Sequence, residues 1–505
     1  MAVLYMNEEL DECDLSIYSL LQHNVAKYSN CLAFQDEEKE YSWEETLDLI
    51  CKMSYVLSEK GITKESKVLF VINKTMESTL LLYSLLLLGS NVFITNSRTC
   101  KRSVLGKQHI DVMIGNELNI QINSPIETWS IRSILEEGIQ NENVSIDYSL
   151  FENNDDTTFI VLFTSGTLGE AKGIQLGLHS YLKNAYRFAQ CLCIKNIDKY
   201  CLVTPLHHCF GIINIFSALT KGACIFFPSS KNYDVILCSI NRYKCSVLNA
   251  VPTIFLGLQK SAHFDKKNVT SIQKGVMAGG NYSVEQFIDI TNNFQMNLLS
   301  SYGLTECCAT VTFSSYEGGL EDKAYGLGRF IPGVIGSIQD PCGNELPVMH
   351  YGEICVKGYS LMKGYYDNGN LLYDFVDKNG WFHTGDLGYI DSKNNLHIVD
   401  RIKNIIICGG ENISPKKIED TILQLSFVDE CAVVGIEDKY YGEIPCAVIK
   451  SSDLKISNEN EYKIKGYLEE ILEKYEIPRK ILLVDAIPVN ENGKYDKVAI
   501  RRLFC

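Results

Sequence analysis

Between Lys67 and Ser301 short β-branched or aromatic runs alternate with stretches of helix length, and that alternation narrows the fold more than any other feature of the chain. Candidate strands fall at 67–72, 91–95, 159–163, 200–204, 223–227, 246–250, 275–278 and 297–300, with helical patterns at 179–189, 232–241, 253–261 and 284–292. The expectation is a layered α/β architecture with largely parallel sheets. From 333 to 400 the texture changes to short alternating runs at 352–357, 387–390 and 396–399, separated by Asp, Asn and Gly turns. That pattern predicts a small, mostly antiparallel β region. Residues 401–505 read strand, helix, two strands, helix, strand and a short terminal helix. The division expected is therefore a large N-terminal domain, 1–400, and a small C-terminal α+β domain, 401–505.

Composition excludes several classes. With 505 residues, 46% hydrophobic and 22% charged, the chain is long enough for several cores and too apolar for wholesale disorder. Sixty-two acidic against 47 basic residues, a formal net charge of −15, argue against nucleic acid as the main partner. A local basic pocket for phosphates remains compatible with that balance. The run from Leu80 to Leu88 is too short to span a bilayer and reads as a buried helix, so no membrane span is expected. The acidic start MAVLYMNEELDECD lacks a secretory signal, and RRLFC matches no anchor or peroxisomal address. Nineteen scattered cysteines contain no C-x-x-C, and the nine histidines no H-E-x-x-H. Reduced thiols in a cytoplasmic setting are expected, without a zinc cage.

The strongest local signal is Phe163-Thr-Ser-Gly-Thr-Leu-Gly-Glu-Ala-Lys172-Gly173. Small hydroxyl and glycine residues let backbone N–H groups approach anionic oxygens, and a lysine adds charge, so the segment suits nucleotide phosphates. It is not a Walker A loop, because Gly173 follows Lys172. A plain solvated turn fits the same residues. Further segments follow in order: Met277-Ala-Gly279-Gly280, Ser301-Tyr-Gly-Leu-Thr-Glu306, Trp381-Phe-His-Thr-Gly-Asp-Leu-Gly388, Asp400-Arg401-Ile-Lys403, Gly409-Gly-Glu-Asn-Ile-Ser-Pro415 and Asn492-Gly-Lys494.

Taken in this order, the motifs resemble those of the adenylate-forming enzymes, which include acyl- and aryl-CoA ligases, peptide-synthetase adenylation domains and firefly luciferase. The resemblance covers essentially the whole chain. It implies that Thr164, Ser165, Gly166, Thr167, Gly169 and Lys172 shelter the β- and γ-phosphates of ATP. Here the usual threonine at 168 is Leu and the usual proline at 171 is Ala, so one hydroxyl donor is missing. It also implies that Tyr302 stacks on adenine, that Thr305 contacts the α-phosphate and that Glu306 holds Mg²⁺, a role suited to a hard carboxylate. Gly279 and Gly280 would line adenine and the acid pocket, while Asp386 and Arg401 would take the ribose.

Pro205-Leu-His-His208 resembles the family's segment beside the acid pocket. His208 is expected as a gate or wall rather than a base, because a carboxylic acid is already ionised at pH 7. Peptide-synthetase domains for α-amino acids usually place an aspartate there, so His208 disfavours an amino-acid substrate. Lys494 resembles the lysine that bridges acyl and phosphate oxygens. Lys403 occupies the hinge position about which the small domain turns, with Gly409 and Gly410 forming a thiol channel. The implied activity is ATP- and Mg²⁺-dependent activation of a carboxylic acid, then transfer to the thiol of coenzyme A. The alternative acceptor is the phosphopantetheine of an acyl carrier protein.

Overall fold

The computed structural model describes residues 15–96, 110–116, 126–141, 158–165, 171–280, 282–367, 370–451, 458–489 and 495–504; of 164, 165, 171, 367 and 458–460 the backbone alone is described. Packing separates the chain into two compact units, one of 1–336 with 356–382 and one of 337–355 with 383–505. That boundary differs from a cut at 400/401, because the small β region packs with the C-terminal residues.

In the first unit an eight-stranded sheet runs in the order Asn370–Leu372, Gly364–Asp367, Ala171–Gly177, Phe159–Ser165, Asn91–Thr95, Lys67–Val71, Val112–Ile114 and Glu127–Trp129. From Phe159–Ser165 to Glu127–Trp129 the pairing is parallel, as expected. The other end is antiparallel, because Ala171–Gly177 folds back on Phe159–Ser165 as a hairpin. The alternation pattern did not reveal this return strand. Its Gly173 and Gly177 interrupt the apolar run that marks a strand in sequence.

Leu80 to Leu88 behaves as its composition predicts. It belongs to the helix Met76–Leu87, capped by the Thr75 side chain on Ser78 N and closed at Gly89, whose φ is +72°. Leu80, Leu81, Leu82, Leu85, Leu86 and Leu87 are all fully buried. A helix apolar on every side needs neighbours all round, and each such leucine contributes about 1.5–3 kcal/mol on burial. Tyr83 hydrogen-bonds the Ile215 carbonyl at 2.8 Å and stacks on Phe216. This seats the helix against Cys209–Lys221, the helix that leads out of the paired histidines.

A second strand system in this unit runs Glu40–Ser42, Leu32–Gln35, Cys224–Phe226, Lys199–Cys201, and another Lys274–Met277, Asn297–Tyr302, Thr312–Phe313, Arg329–Phe330. The expected strand at 246–250 lies between them but makes only single bridges at Val247 and Ala250. The cause is Asn249, whose side-chain oxygen accepts the Val276 N–H at 2.8 Å and so replaces a main-chain carbonyl in the ladder.

The second unit holds the antiparallel pair Phe382–Ile390 and Leu396–Arg401. It also holds a five-stranded sheet built around Gly442–Lys450 and Glu430–Asp438. Alternate residues of Glu430–Asp438 feed two cores, as a period of two requires. Cys431 and Val433 pack with Ile418, Ile422, Ile464 and Leu468, whereas Ala432 and Val434 pack with Ile487, Ile500 and Phe504.

Candidate active site

The segment expected to be a phosphate loop has its two flanks in the paired strands Phe159–Ser165 and Ala171–Gly177, with Thr164 opposite Lys172. Gly166, Thr167, Leu168 and Gly169 lie outside the described residues, as do the side chains of Thr164 and Ser165. Lys172 is exposed, and its Nζ lies 5.3 Å from the Tyr365 ring centroid. Tyr365 belongs to Gly364–Asp367, the strand beside Ala171–Gly177. Its hydroxyl donates to Glu306 Oε1 at 3.4 Å, and the Glu306 carbonyl accepts the Met362 N–H at 2.8 Å. One aromatic ring thus connects the loop lysine to the expected metal-binding carboxylate. None of the sequence motifs marks Tyr365 for this role. The donor set fits Mg²⁺ beside phosphates: a half-exposed hard oxygen with a cation across the same tyrosine.

Tyr302 ends the strand Asn297–Tyr302 and is buried. Gly303 follows because a Cβ there would overlap the Ala309 carbonyl oxygen. The next residues, Thr305–Cys307, form one 3-10 turn, and Cys308 and Ala309 then adopt φ of +52° and +78°. This double left-handed turn returns the chain sharply, so Thr305 and Glu306 project from a tight corner. Thr305 Oγ1 donates to Cys209 Sγ at 3.4 Å, tying the corner to the start of Cys209–Lys221. Cys307 and Cys308 are fully buried, and burial raises the Cys308 thiol far above its ordinary range. It therefore acts as an apolar wall.

His208 is the N-cap of Cys209–Lys221, and its ring lies 4.2 Å from that of His207. Burial pushes His207 down to about 3, with His208 and Lys231 adding to the shift, so His207 is neutral at pH 7. Gly211 allows the Pro205 carbonyl to approach where any Cβ would collide. Behind this loop runs a buried amide chain absent from the sequence reading. Asn214 Nδ2 donates to Thr204 Oγ1 at 3.0 Å and to the Phe210 carbonyl at 2.7 Å. Asn249 Nδ2 donates to Asn214 Oδ1 at 2.6 Å, and Asn249 Oδ1 accepts the Val276 N–H. These bonds couple the histidine loop to the segment ending in Gly279 and Gly280. Gly279 turns at φ +76°, and a Cβ on Gly280 would sit 3.0 Å from Pro252 Cδ. The signal available was an asparagine inside each of two apolar runs, since buried amides require partners.

In the second unit Asp386 and Arg401 face each other in register. Arg401 Nε lies 2.6 Å from Asp386 Oδ1, the aspartate buried and the guanidinium partly exposed. Lys403 follows in the turn Ile402–Asn404, where burial, and then Arg401, lower its ammonium while Asp386 opposes the shift. Asp400 accepts from Arg401 N at 2.6 Å, Asn404 Nδ2 at 3.0 Å and Lys416 N at 3.2 Å. Gly409 and Gly410 form the two-residue turn between Ile406–Cys408 and Glu411–Ile413, with φ of +62° and +92°. Both positive values match a type I′ hairpin, which favours glycine on its own account. Lys494 lies outside the described residues.

The profile of the AMP-binding enzymes matches residues 21–366, and that of the AMP-binding enzyme C-terminal domain matches 417–494. The chain belongs to the AMP-binding enzyme family. It is 33% identical over 350 residues to the mouse mitochondrial medium-chain acyl-CoA ligase ACSF2, covering 68% of this chain and 56% of that one. It is 27% identical over 466 residues to the 2-succinylbenzoate–CoA ligase of Bacillus velezensis, covering 91% and 92%. The chain spans less than two thirds of the first curated relatives it matches, 63% and 56% of their lengths. The fold matches that of o-succinylbenzoate CoA synthetase (MenE) from Bacillus subtilis in complex with the acyl-adenylate intermediate OSB-AMP. The TM-score is 0.82 at 24% identity, over 95% of this chain and 97% of that one. Among the described residues no helix is long and apolar enough to cross a membrane.

Proposed function

We propose that the chain is an acid–thiol ligase of the acyl-CoA synthetase type. It activates a carboxylic acid with ATP, releases pyrophosphate, and passes the acyl group from AMP to the thiol of coenzyme A. The observation that carries this reading is the Lys172–Tyr365–Glu306 arrangement, which joins a phosphate-loop cation to a hard carboxylate through one ring.

In the first step a substrate carboxylate oxygen bonds to the α-phosphorus and the bond to pyrophosphate breaks. Both reactants are anions, so the site must supply positive charge where charge builds. Glu306 would hold Mg²⁺, which would supply positive charge against the anion that builds up at phosphorus. Lys172 and Thr305 add a cation and a hydroxyl, and Lys494 joins them by the family resemblance. Tyr302 bears on adenine, while Asp386 with Arg401 takes the ribose. His208 walls the acid pocket beside its neutral neighbour His207. No general base is needed for an acid already ionised at neutral pH.

In the second step the thiol sulfur attacks the acyl carbon and AMP leaves. Access requires Lys494 to withdraw, by rotation of 401–505 about Lys403 relative to 1–400, with Gly409 and Gly410 leaving a channel free of side chains. The described cysteines are all free thiols, which suits a reducing compartment such as the cytoplasm.

The test is carboxylate-dependent ATP–pyrophosphate exchange over fatty, aryl, dicarboxylic and amino acids, followed by acyl transfer to CoA or to a holo carrier protein. Exchange with one acid class and transfer to CoA support the reading. Transfer to the carrier protein alone would replace the acceptor, and absence of ATP binding would overturn the activity.

A further inference from the structure

The turn that carries Asp386 is held residue by residue from one neighbouring strand, Gly352–Gly358. Glu353 Oε2 lies 2.8 Å from His383 Nδ1, and Glu353 Oε1 accepts the Gly385 N–H at 2.9 Å. The adjacent Ile354 carbonyl accepts Thr384 Oγ1–H at 2.7 Å, and Thr384 Oγ1 accepts the Asp386 N–H at 3.1 Å. Gly385 has φ +71°, so the backbone just before Asp386 is in a left-handed conformation. The carboxylate plane of Glu353 is fixed at both oxygens, by a backbone N–H and by an imidazole. Hydrogen bonds to an ionised acceptor are shorter and stronger than neutral ones, so this is a stiff support.

We propose that Glu353, acting with His383, is a positioning residue for nucleotide binding: it sets the backbone of Gly385 and with it the direction of the Asp386 carboxylate toward the ribose hydroxyls. The proposal rests on the assignment of Asp386 to the ribose. Arg401 already occupies one side of that carboxylate at 2.6 Å. Two hydroxyls must then be met by an acid with little freedom to readjust, and placement within about 0.5 Å is what such a site requires. Neither Glu353 nor His383 touches the nucleotide in this scheme. Their loss weakens ribose recognition and leaves the phosphate chemistry intact.

The role asks of residue 383 a side chain that donates to Glu353, with the rest of the side chain free to vary. Lysine meets that need with a permanent charge, and alanine does not. The same atoms invite a second interpretation, because Cys355 Sγ lies 3.5 Å from His383 Nδ1 and the three donors of Glu353, Cys355 and His383 fall within 4.8 Å of one another. Such a set has zinc-ligand chemistry. The short Glu353–His383 contact is already satisfied as a hydrogen bond, which is why the positioning role is preferred.

The experiment compares ATP with 3′-deoxy-ATP in pyrophosphate exchange for the full chain and for E353A, E353Q, H383A and H383K. Loss of one charged hydrogen bond at the support predicts about a tenfold rise in KM for ATP in E353A and H383A, with kcat within about threefold. Preference for ATP over 3′-deoxy-ATP should shrink by a similar factor. H383K should stay close to wild type, and E353Q, which keeps the shape and covers a failure of E353A to fold, should lie between. Wild-type KM and preference in both E353Q and E353A would overturn the proposal, as would an H383K as impaired as H383A. A wild-type enzyme indifferent to the 3′-hydroxyl would instead overturn the ribose assignment beneath it. Loss of activity on treatment with 1,10-phenanthroline in excess Mg²⁺, restored by Zn²⁺ alone, would make the trio a metal site and also overturn the positioning role.

Discussion

Replacing Glu419 by glutamine should stabilise the second compact unit at alkaline pH and leave it unchanged in mild acid. Glu419 lies in the helix Pro415–Ile422, buried, with Oε1 accepting the Val433 N–H at 2.7 Å. Burial is the largest influence and raises its carboxyl from 4.5 to about 7; Lys497 and the Val433 bond pull the other way, and Asp400 and Asp420 add to the rise. Because the folded value exceeds the unfolded one, the stabilising contribution is complete below about pH 4.5 and is lost as pH rises through about 7. Across that window the cost of ionising the group in place reaches about 3 kcal/mol, at 1.36 kcal/mol per pK unit. Glutamine keeps an oxygen for Val433 N–H and carries no charge. Hydrogen exchange of peptides covering Glu430–Asp438, corrected for intrinsic rates, reads the local opening free energy. Wild type and E419Q should match near pH 4, while by pH 8.5 the variant should be protected about 100-fold more, the equivalent of that energy. Equal protection ratios at both pH values would refute the reasoning.

Asp198→Asn leaves Lys274, 2.8 Å away and almost fully buried, without its counter-charge. A loss of about 3–5 kcal/mol in chemical denaturation is expected, and an unchanged midpoint would contradict it. Asn249→Leu orphans the Val276 N–H and breaks the amide chain to Asn214. It should cost about 1–3 kcal/mol and raise KM for the acid more than for ATP in exchange kinetics. Tyr365→Phe should retain most exchange activity, since the ring beside Lys172 remains, whereas Tyr365→Ala should reduce it about tenfold or more. Lys403→Pro should spare pyrophosphate exchange and slow thioester formation in a single-turnover assay; equal loss of both steps would remove the hinge.

Much of the candidate site was legible because its residues are close in sequence. Tyr302, Thr305 and Glu306 sit within five residues, and the corner that presents them follows from Gly303, whose lack of a Cβ admits the Ala309 carbonyl. His207 and His208 are likewise adjacent, and Asp386 and Arg401 are brought together by simple antiparallel register. The partners missed are all contacts between residues far apart in the chain. Tyr365 meets Glu306 across 59 positions, Asn249 meets Asn214 across 35, and Glu353 meets Gly385 across 32.

The fold divides in the same way. Composition and run length by themselves determined the parallel strands at 67–71 and 91–95 and the buried helix through Leu80, because an uninterrupted apolar run needs neighbours on every side. Tertiary structure decided that Ala171–Gly177 returns as a strand on Phe159–Ser165, since it carries two glycines and acquires its strand character from pairing on both sides. It also decided that 246–250 makes only isolated bridges, because the Asn249 side chain competes for a ladder hydrogen bond only once Val276 is beside it. Backbone and amide groups that must be satisfied in the interior find partners by three-dimensional proximity, and no spacing rule along the chain encodes which partner that is.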